Sequence, residues 1–294
     1  MEQKAFKSGF VSIVGKPNVG KSSLMNKLVG ENVSIITAKA QTTRHRIMGI
    51  LNGEDYQIVY SDTPGILEPR YSLHEAMMSY VKVSLEDADV ILLVVELHDK
   101  YDNLFARFQK TETPIILLMN KVDLAKGSQV EDKVAYWKES LPNVREIIAV
   151  SAKTGLNVNH ILDVVKAYLP DHPPFFPQDE YTNRTERFFA SEILRQKIFQ
   201  NYEEEIPYSC EVAINSFKDE PDIIRISAEI YVERNTQKGI VIGKGGTSLK
   251  KVGTEARQDM EAFFGKKIFL ETHVKVAGNW RKEKNRLRQF GYFE

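Results

Sequence analysis

Cysteine is nearly missing from this chain. Cys210 is the single one among 294 residues, so no internal disulfide can form and a reducing compartment is expected. Long hydrophobic runs are missing too. The longest, around Val90–Val95, is strand-sized, well short of the ~20 residues that a membrane helix requires. The first residues, Met-Glu-Gln-Lys-Ala-Phe-Lys-Ser, lack the apolar core of a signal peptide. A cytoplasmic location is the expectation. No His/Cys cluster suggests zinc, no Ser–His–Asp arrangement is legible, and neither an internal repeat nor a long low-complexity tract occurs. His45 and His74 are expected on mobile, exposed segments without a catalytic role. Net charge is absent as well, with 40 Lys+Arg against 40 Asp+Glu, but that average hides an asymmetry. Residues 237–294 hold 13 Lys/Arg against 6 Asp/Glu, while the first 236 hold 27 against 34. A neutral chain with one basic end is suited to touch something anionic there. Charge count alone leaves the plainer alternative open, a solvated charged face.

What the sequence does contain is a set of four short motifs in a fixed order. Gly15-Lys16-Pro17-Asn18-Val19-Gly20-Lys21-Ser22 has the form GxxxxGK[ST], a phosphate-binding loop whose backbone N–H groups and lysine hold a nucleotide's phosphates. The apolar run Gly9–Val14 before it suits a buried strand. After it, Leu24 and Leu28 fall at helical spacing, with Gly30 as the stop. Strand, glycine loop and helix N-terminus form the arrangement that phosphate binding needs. Lys21 is expected to reach the β and γ oxygens, and the Ser22 hydroxyl to ligate Mg²⁺.

The other three motifs refine the chemistry. Asp62-Thr63-Pro64-Gly65 follows the strand-like Tyr56–Ser61. Asp62 suits the Mg²⁺ shell, and a Gly65 N–H can meet a γ-phosphate. Asn120-Lys121-Val122-Asp123 suits guanine, because the Asp123 carboxylate can accept from N1–H and the N2 amine together. Adenine offers no such donor pair. Asn120 and Lys121 would brace the loop and pack over the base. In Ser151-Ala152-Lys153 a backbone N–H can meet guanine O6, where an adenine amine would leave that donor unpaired at a cost of ~1–3 kcal/mol. Together the four motifs predict a domain that binds and hydrolyses GTP, with Lys21, Thr43, Asp62 and Gly65 as its catalytic group. Within Gln41–Arg46, Thr42 and Thr43 are both candidates for a second Mg²⁺ hydroxyl, and Thr43 is preferred. Ile66 stands where Ras-like enzymes carry a glutamine that orients the attacking water. An aliphatic side chain cannot do so, and slow intrinsic hydrolysis is expected.

Three domain-level segments follow from composition. Strand-like runs at Gly9–Gly15, Tyr56–Asp62, Val90–Glu96, Pro114–Asn120 and Glu146–Val150 alternate with helical stretches over residues 1–170. That rhythm predicts an α/β domain with a mostly parallel sheet, and each motif falls at the C-terminal end of a strand, where ligands bind in such sheets. Residues 171–184 carry Pro173, Pro174 and Pro177 just after Pro170 and read as a stiff, extended linker. Residues 185–294 read as a smaller α+β domain. Its elements are an amphipathic helix over Glu186–Glu205, strands at Cys210–Phe217 and Ile223–Val232, a helix over Thr247–Phe264 and a last strand at Lys267–Val276.

Ahead of that second long helix, Ile240-Val241-Ile242 leads into Gly243-Lys244-Gly245-Gly246. A GxxG loop between two helices is the signature of a KH module, in which the loop clamps about four unpaired nucleotides. Ile242, Gly243, Lys244, Gly245 and Gly246 are therefore the RNA-binding candidates. The basic run from Trp280 to Arg288 is read as a tail able to contact phosphates.

With these residues in view the chain closely resembles the Era family of bacterial GTPases. The likeness spans nearly the whole sequence: the 15–22 loop, Gln41–Arg46, Asp62–Gly65, Asn120–Asp123, Ser151–Lys153, the helix from Arg187, and Val241–Gly246. The resemblance implies a Ras-like fold joined to a type II KH domain, with GTP or GDP and Mg²⁺ as ligands. It further implies binding to the 3′ end of small-subunit ribosomal RNA during assembly of the small ribosomal subunit, and peripheral contact with the inner membrane. A monomer is expected. Asn18 resembles the residue that ligates K⁺ in related GTPases lacking the glutamine, which makes K⁺ a candidate cofactor. Two other readings fare worse: a tRNA-modification GTPase should carry a folate-type domain or a C-terminal cysteine, and a degenerate nucleotide site should not retain Lys21, Ser22, Asp62 and Asp123.

Overall fold

The computed structural model describes residues 5–293. Residues 1–4, the start of the stretch inspected for a signal peptide, and residue 294 lie outside the described residues. The described residues divide into two compact units, one of the chain up to Pro69 with Met77–Asn183, the other of Arg70–Ala76 with the chain from Arg184 on.

The first unit is built on a six-stranded sheet in the order β2-β3-β1-β4-β5-β6. Its strands are β1 (Lys7–Gly15), β2 (Ile47–Asn52), β3 (Tyr56–Asp62), β4 (Val90–Glu96), β5 (Ile115–Asn120) and β6 (Val144–Ala149). All neighbours are parallel except β2 with β3. The helices are α1 (Lys21–Val29), α2 (Ser72–Glu86, of which this unit holds the part from Met77 on), α3 (Gln129–Ser140) and α4 (Val158–Tyr168). Strand alternation sorts the core into two layers. Val90, Leu92 and Val94 join Leu24 of α1 and Ile161 of α4. Ile91, Leu93 and Val95 join Val81 of α2 and Trp137 of α3 on the opposite face. Full burial of each such side chain stabilises by about 1.5–3 kcal/mol, so both sheet faces must be covered. The mostly parallel architecture expected from the sequence is present.

β2 is the strand that motif reading does not find. It is an edge strand of the sheet, antiparallel to β3, with Gly49 near its centre. A Cβ on Gly49 would stand 2.6 Å from Met25 Cε and 2.8 Å from Val29 Cγ2, so the glycine that weakens the strand pattern admits α1 at close range.

The proline-rich stretch is fastened to this unit rather than free. Buried Gln57 accepts from the N–H groups of Phe175 (2.7 Å) and Phe176 (2.9 Å) and donates to the Phe176 carbonyl (2.8 Å). Further along, the Ile50 N–H donates to the Tyr181 carbonyl and Thr182 Oγ1 to that of Met48. Prolines lack the N–H for a ladder, and one glutamine supplies partners in their place.

The second unit runs α5 (Glu186–Asn201), α6 (Ile206–Ser209), β7 (Glu211–Asp219), β8 (Ile223–Val232), α7 (Asn235–Ile242), α8 (Thr247–Phe264), β9 (Lys267–Val276) and α9 (Lys284–Gln289). Its sheet has the order β7-β8-β9, antiparallel then parallel. Helices α5, α7 and α8 bury Leu194, Val241 and Ala256 against Ile226 and Ile230 of β8. The expected amphipathic helix ends four residues early, at Asn201, where Tyr202 turns extended and buries its ring.

The basic run after β9 is partly structural. Trp280 is fully buried and its indole N–H donates to the Ser209 carbonyl at 2.9 Å, while Arg281 pairs with Glu233. Leu287 and Tyr292 are buried as well, and the Tyr292 hydroxyl donates to Glu211 at 2.8 Å. Of the basic residues in that run, Lys282, Lys284, Arg286 and Arg288 keep exposed side chains.

The two histidines expected on exposed segments are buried instead, His45 at 9% and His74 at 5% exposure. His45 packs 5.8 Å from the Tyr80 ring and His74 3.9 Å from that of Tyr71. Tyr80 of α2 meets His45 from 35 positions along the chain, a partner that local composition does not reveal. No helix among the described residues is long and apolar enough to cross a membrane.

Candidate functional site

The phosphate loop is shaped by what glycine leaves out. A Cβ on Gly15 would fall 2.3 Å from the Val94 carbonyl, so only glycine lets the chain leave β1 this close to β4. Gly20 holds φ 93 at the start of α1, within the left-handed region that glycine enters freely. Lys21 is buried, and its ammonium curls back to donate to the carbonyls of Lys16 (2.9 Å) and Gly15 (3.2 Å). Burial lowers its pKa to about 8, and the neighbouring Asp62 charge opposes that fall.

Beyond Lys21 three oxygens converge. Ser22 Oγ donates to Asp62 Oδ2 at 2.6 Å and lies 2.9 Å from Thr43 Oγ1, which is 3.5 Å from the same carboxylate oxygen. Asp62 is fully buried, and burial pushes its carboxyl upward against the Ser22 hydrogen bond and the Lys21 charge. Its Oδ1 has no hydrogen-bond partner. A buried carboxylate oxygen without a donor is costly, and two hydroxyls beside it make a hard-oxygen set suited to Mg²⁺. The residues fit that ion. The Thr42 hydroxyl turns away, to Thr37 Oγ1 at 2.5 Å and the Lys39 carbonyl at 2.7 Å.

Past Asp62 the segment to Gly65 is held against the strands behind it. Thr63 Oγ1 donates to the Ile13 carbonyl at 2.8 Å, and the Ile66 N–H to that of Gly15 at 2.9 Å. Ile66 is 1% exposed and packs in the core layer with Val14 and Val81. Its side chain is therefore withdrawn from the cleft altogether. A Cβ on Gly65 would stand 2.6 Å from Pro17 N, so this glycine sets how closely the turn approaches the phosphate loop.

At the other end of the cleft, Asn120 is fully buried and joins two motifs. Its Nδ2 donates to the Val19 carbonyl (2.8 Å), and its Oδ1 accepts from the Ala152 N–H (3.0 Å). Lys121, at φ 63, donates to the Asn18 carbonyl at 2.8 Å and pairs with Glu96 at 2.5 Å. Asp123 Oδ1 accepts from the buried Ser151 hydroxyl at 2.7 Å, which holds the carboxylate at the rim. Val122 packs against the core beneath it. A cavity of about 640 Å³ lies among Asn120, Lys121, Asp123, Ala152 and Lys153. A second of about 310 Å³ lies among Pro17, Asn18, Lys21, Ser22, Thr43 and Gly65. The two share Gly20, Ser23, Ile36 and Lys121 in their walls, one compartment sized for a nucleoside and the next for its phosphates.

Not every motif residue points there. The Lys16 ammonium pairs with Asp102 (2.6 Å) and Asp99 (3.7 Å) and sits 5.0 Å from the Phe105 ring. Val19 is a core residue at 2% exposure. Both can serve a ligand only through the main chain. The motifs in turn say nothing of Asn26, Ser34 and Ile36. A polar Asn26 on the buried side of α1 was the one legible signal.

In the second unit the GxxG segment joins α7 to α8. A Cβ on Gly243 (φ 73) would come 2.3 Å from Ser248 Oγ and 3.0 Å from Ser248 N. Gly245 (φ 61) and Gly246 (φ 79) face open space, and Lys244 is exposed. Ile242 is half-buried beneath the loop, and Ile240 beside it is 52% exposed. Main chain accessible on a rigid turn between helices is what a nucleic-acid backbone can approach closely.

Comparison with known proteins agrees with both units. Residues 10–121 match the family described as 50S ribosome-binding GTPase, and residues 205–281 match the KH domain family. The chain is 42% identical over 293 residues to GTPase Era of Staphylococcus haemolyticus, covering 98% of each. It superposes on Era in complex with MgGDPNP and nucleotides 1506–1542 of 16S ribosomal RNA with a TM-score of 0.94, at 39% identity, covering 98% of this chain and 99% of that one. A single-site variant of Aquifex aeolicus Era bound to GDP·AlF4⁻ gives 0.93 at 38% identity, with the same coverage.

Proposed function

The chain belongs to the Era family of GTPases, and we propose that it couples Mg²⁺-dependent GTP hydrolysis to binding of the unpaired 3′ end of small-subunit ribosomal RNA during assembly of that subunit. One observation carries the reading. An intact guanine-nucleotide cleft and an exposed GxxG loop occur in one chain, over the same length as an Era seen with both MgGDPNP and 16S ribosomal RNA. The family description that names the large subunit covers only residues 10–121, so the whole-chain likeness favours the small subunit. The protein is taken as a cytoplasmic monomer with peripheral contact at the inner membrane.

Each residue's part follows from its place. Lys21 brings a positive charge to the phosphate compartment, where it can neutralise the β and γ oxygens. Ser22, Thr43 and Asp62 would hold Mg²⁺, which supplies further charge stabilisation to the phosphoryl oxygens. Gly65 lines that compartment, where its N–H would meet a γ-phosphate, and Asp123 would read the guanine edge.

Ile66 leaves the attacking water without a positioning side chain, so hydrolysis is slow unless charge comes from elsewhere. Asn18 lines the phosphate compartment at φ 65, with its Nδ2 donating to the Ala38 carbonyl at 3.1 Å. A K⁺ held by Asn18 would supply charge where it develops in the transition state. Turnover in K⁺ is expected to exceed that in Na⁺ several-fold, and Asn18→Ala to erase the difference. Equal rates in the two salts remove the cation from the mechanism.

The RNA half is tested by gel-shift titration with a 3′-end oligonucleotide, single-stranded and as a duplex. The single strand should bind more tightly, and its affinity should fall with salt at a log–log slope of about −0.7 per phosphate neutralised. Preference for the duplex would mean that the GxxG segment is only a turn.

A further inference from the structure

Helix α1 carries an asparagine, a poor helix former, on its buried side. Asn26 is 9% exposed and spends both amide groups on one residue: Nδ2 donates to the Ser34 carbonyl at 2.8 Å, and Oδ1 accepts from the Ser34 N–H at 3.0 Å. This pair pins the chain two residues before Ile36. The aliphatic neighbours then part company, Ile35 turning inward at 9% exposure and Ile36 standing 42% exposed. A lone exposed aliphatic residue is ordinary. Ile36 is set apart because it walls both the base and the phosphate compartments. A nucleotide spanning the two puts its sugar at that junction, and a ribose offers apolar C–H faces there.

We propose that Ile36 is the apolar wall against which the bound nucleoside's sugar packs, and that Asn26 is the positioning residue that holds it there. The assignment rests on the guanine-nucleotide reading above. It adds a determinant of nucleotide residence time that lies outside all four motifs. Because the sugar is common to GDP and GTP, the wall retains both alike.

The test chases tritiated GDP and GTP, whose unmodified sugars leave the contact intact, with excess unlabelled nucleotide from the full-length protein. Ile36→Asn, a change at an exposed position, should release both nucleotides roughly 10-fold faster, while Ile36→Leu stays near wild type. Asn26→Asp keeps the acceptor for the Ser34 N–H but sets a carboxylate oxygen against the Ser34 carbonyl. It should accelerate release similarly, with Asn26→Ser as the smaller replacement should the carboxylate disturb folding. The double variant Asn26→Asp/Ile36→Asn should release no faster than either single one, since the two act through one contact. Unchanged release from Ile36→Asn, or acceleration confined to GTP, overturns the wall. Additive effects in the double variant overturn the positioning role. A wild-type protein that fails to retain GDP overturns the guanine-nucleotide reading itself, and this proposal with it.

Discussion

Asp123→Asn is expected to lower affinity for GDP and GTP on the order of 10³-fold and to confer binding of xanthosine nucleotides. The carboxylate can accept from guanine N1–H and N2 together. An amide in its place points one donor at the N2 amine and leaves a buried polar clash, the kind of mismatch that separates substrates by several powers of ten. Xanthine carries a carbonyl at that position, and the Asn Nδ2 complements it. The fold should survive, because the Ser151 hydroxyl that now donates to Asp123 Oδ1 at 2.7 Å can donate equally to an amide oxygen. Calorimetric titration with GDP, XDP and ADP checks the result. GDP affinity that stays at the wild-type level would remove Asp123 from base recognition, and wild-type affinity for ADP equal to that for GDP would sink the guanine reading entirely.

Lys244→Asp combined with Gly245→Asp is expected to abolish RNA binding while basal GTP hydrolysis stays at its wild-type rate. A Cβ on Gly245 meets nothing within 4 Å, and Asp is among the residues that tolerate its φ of 61. The second unit should therefore stay folded. What changes is the field that an RNA backbone meets: a lysine is lost, two carboxylates appear, and side-chain bulk stands where phosphates must approach the main chain. Gly243 would be the wrong residue to choose. Its Cβ would collide with the Ser248 side chain, 2.3 Å from Oγ and 2.8 Å from Cβ, so a loss of binding there could equally report a damaged α8. Undiminished RNA affinity in the double variant, by gel shift, would assign binding to another surface. Circular dichroism of the variant keeps unfolding from passing for a lost contact.

Sequence patterns and tertiary structure divide along a physical line. The parallel strands β3 and β4 were legible to the residue, β4 because Val90–Val95 is the continuous apolar run that a strand buried on both faces needs, β3 because its apolar centre Ile58-Val59-Tyr60 leads straight into the Asp62 motif. In the second unit β8, α8 and β9 were equally legible, from alternation and helical spacing. β2 was not, since Gly49 breaks its pattern for the sake of a contact with Met25 that lies on another element.

The same division runs through the site. Phosphate and guanine chemistry need particular residue types a few positions apart, and short spacings survive in one dimension. The sequence alone therefore determined a guanine-nucleotide fold, its four loops and the GxxG segment. Which side chains actually meet is settled by how distant segments return to one another. Only the folded chain brings Thr43, rather than Thr42, beside Ser22 and Asp62, draws Lys16 off to Asp102, and buries Ile66. It alone pins Ser34 to Asn26, ties residues 175–182 to Gln57 and β2, and places Trp280 under Ser209. Each of these contacts joins residues whose separation in the chain carries no periodic signal. Their partners are selected by complementary shape and by the need to satisfy every buried polar group, and both exist only once the core has closed.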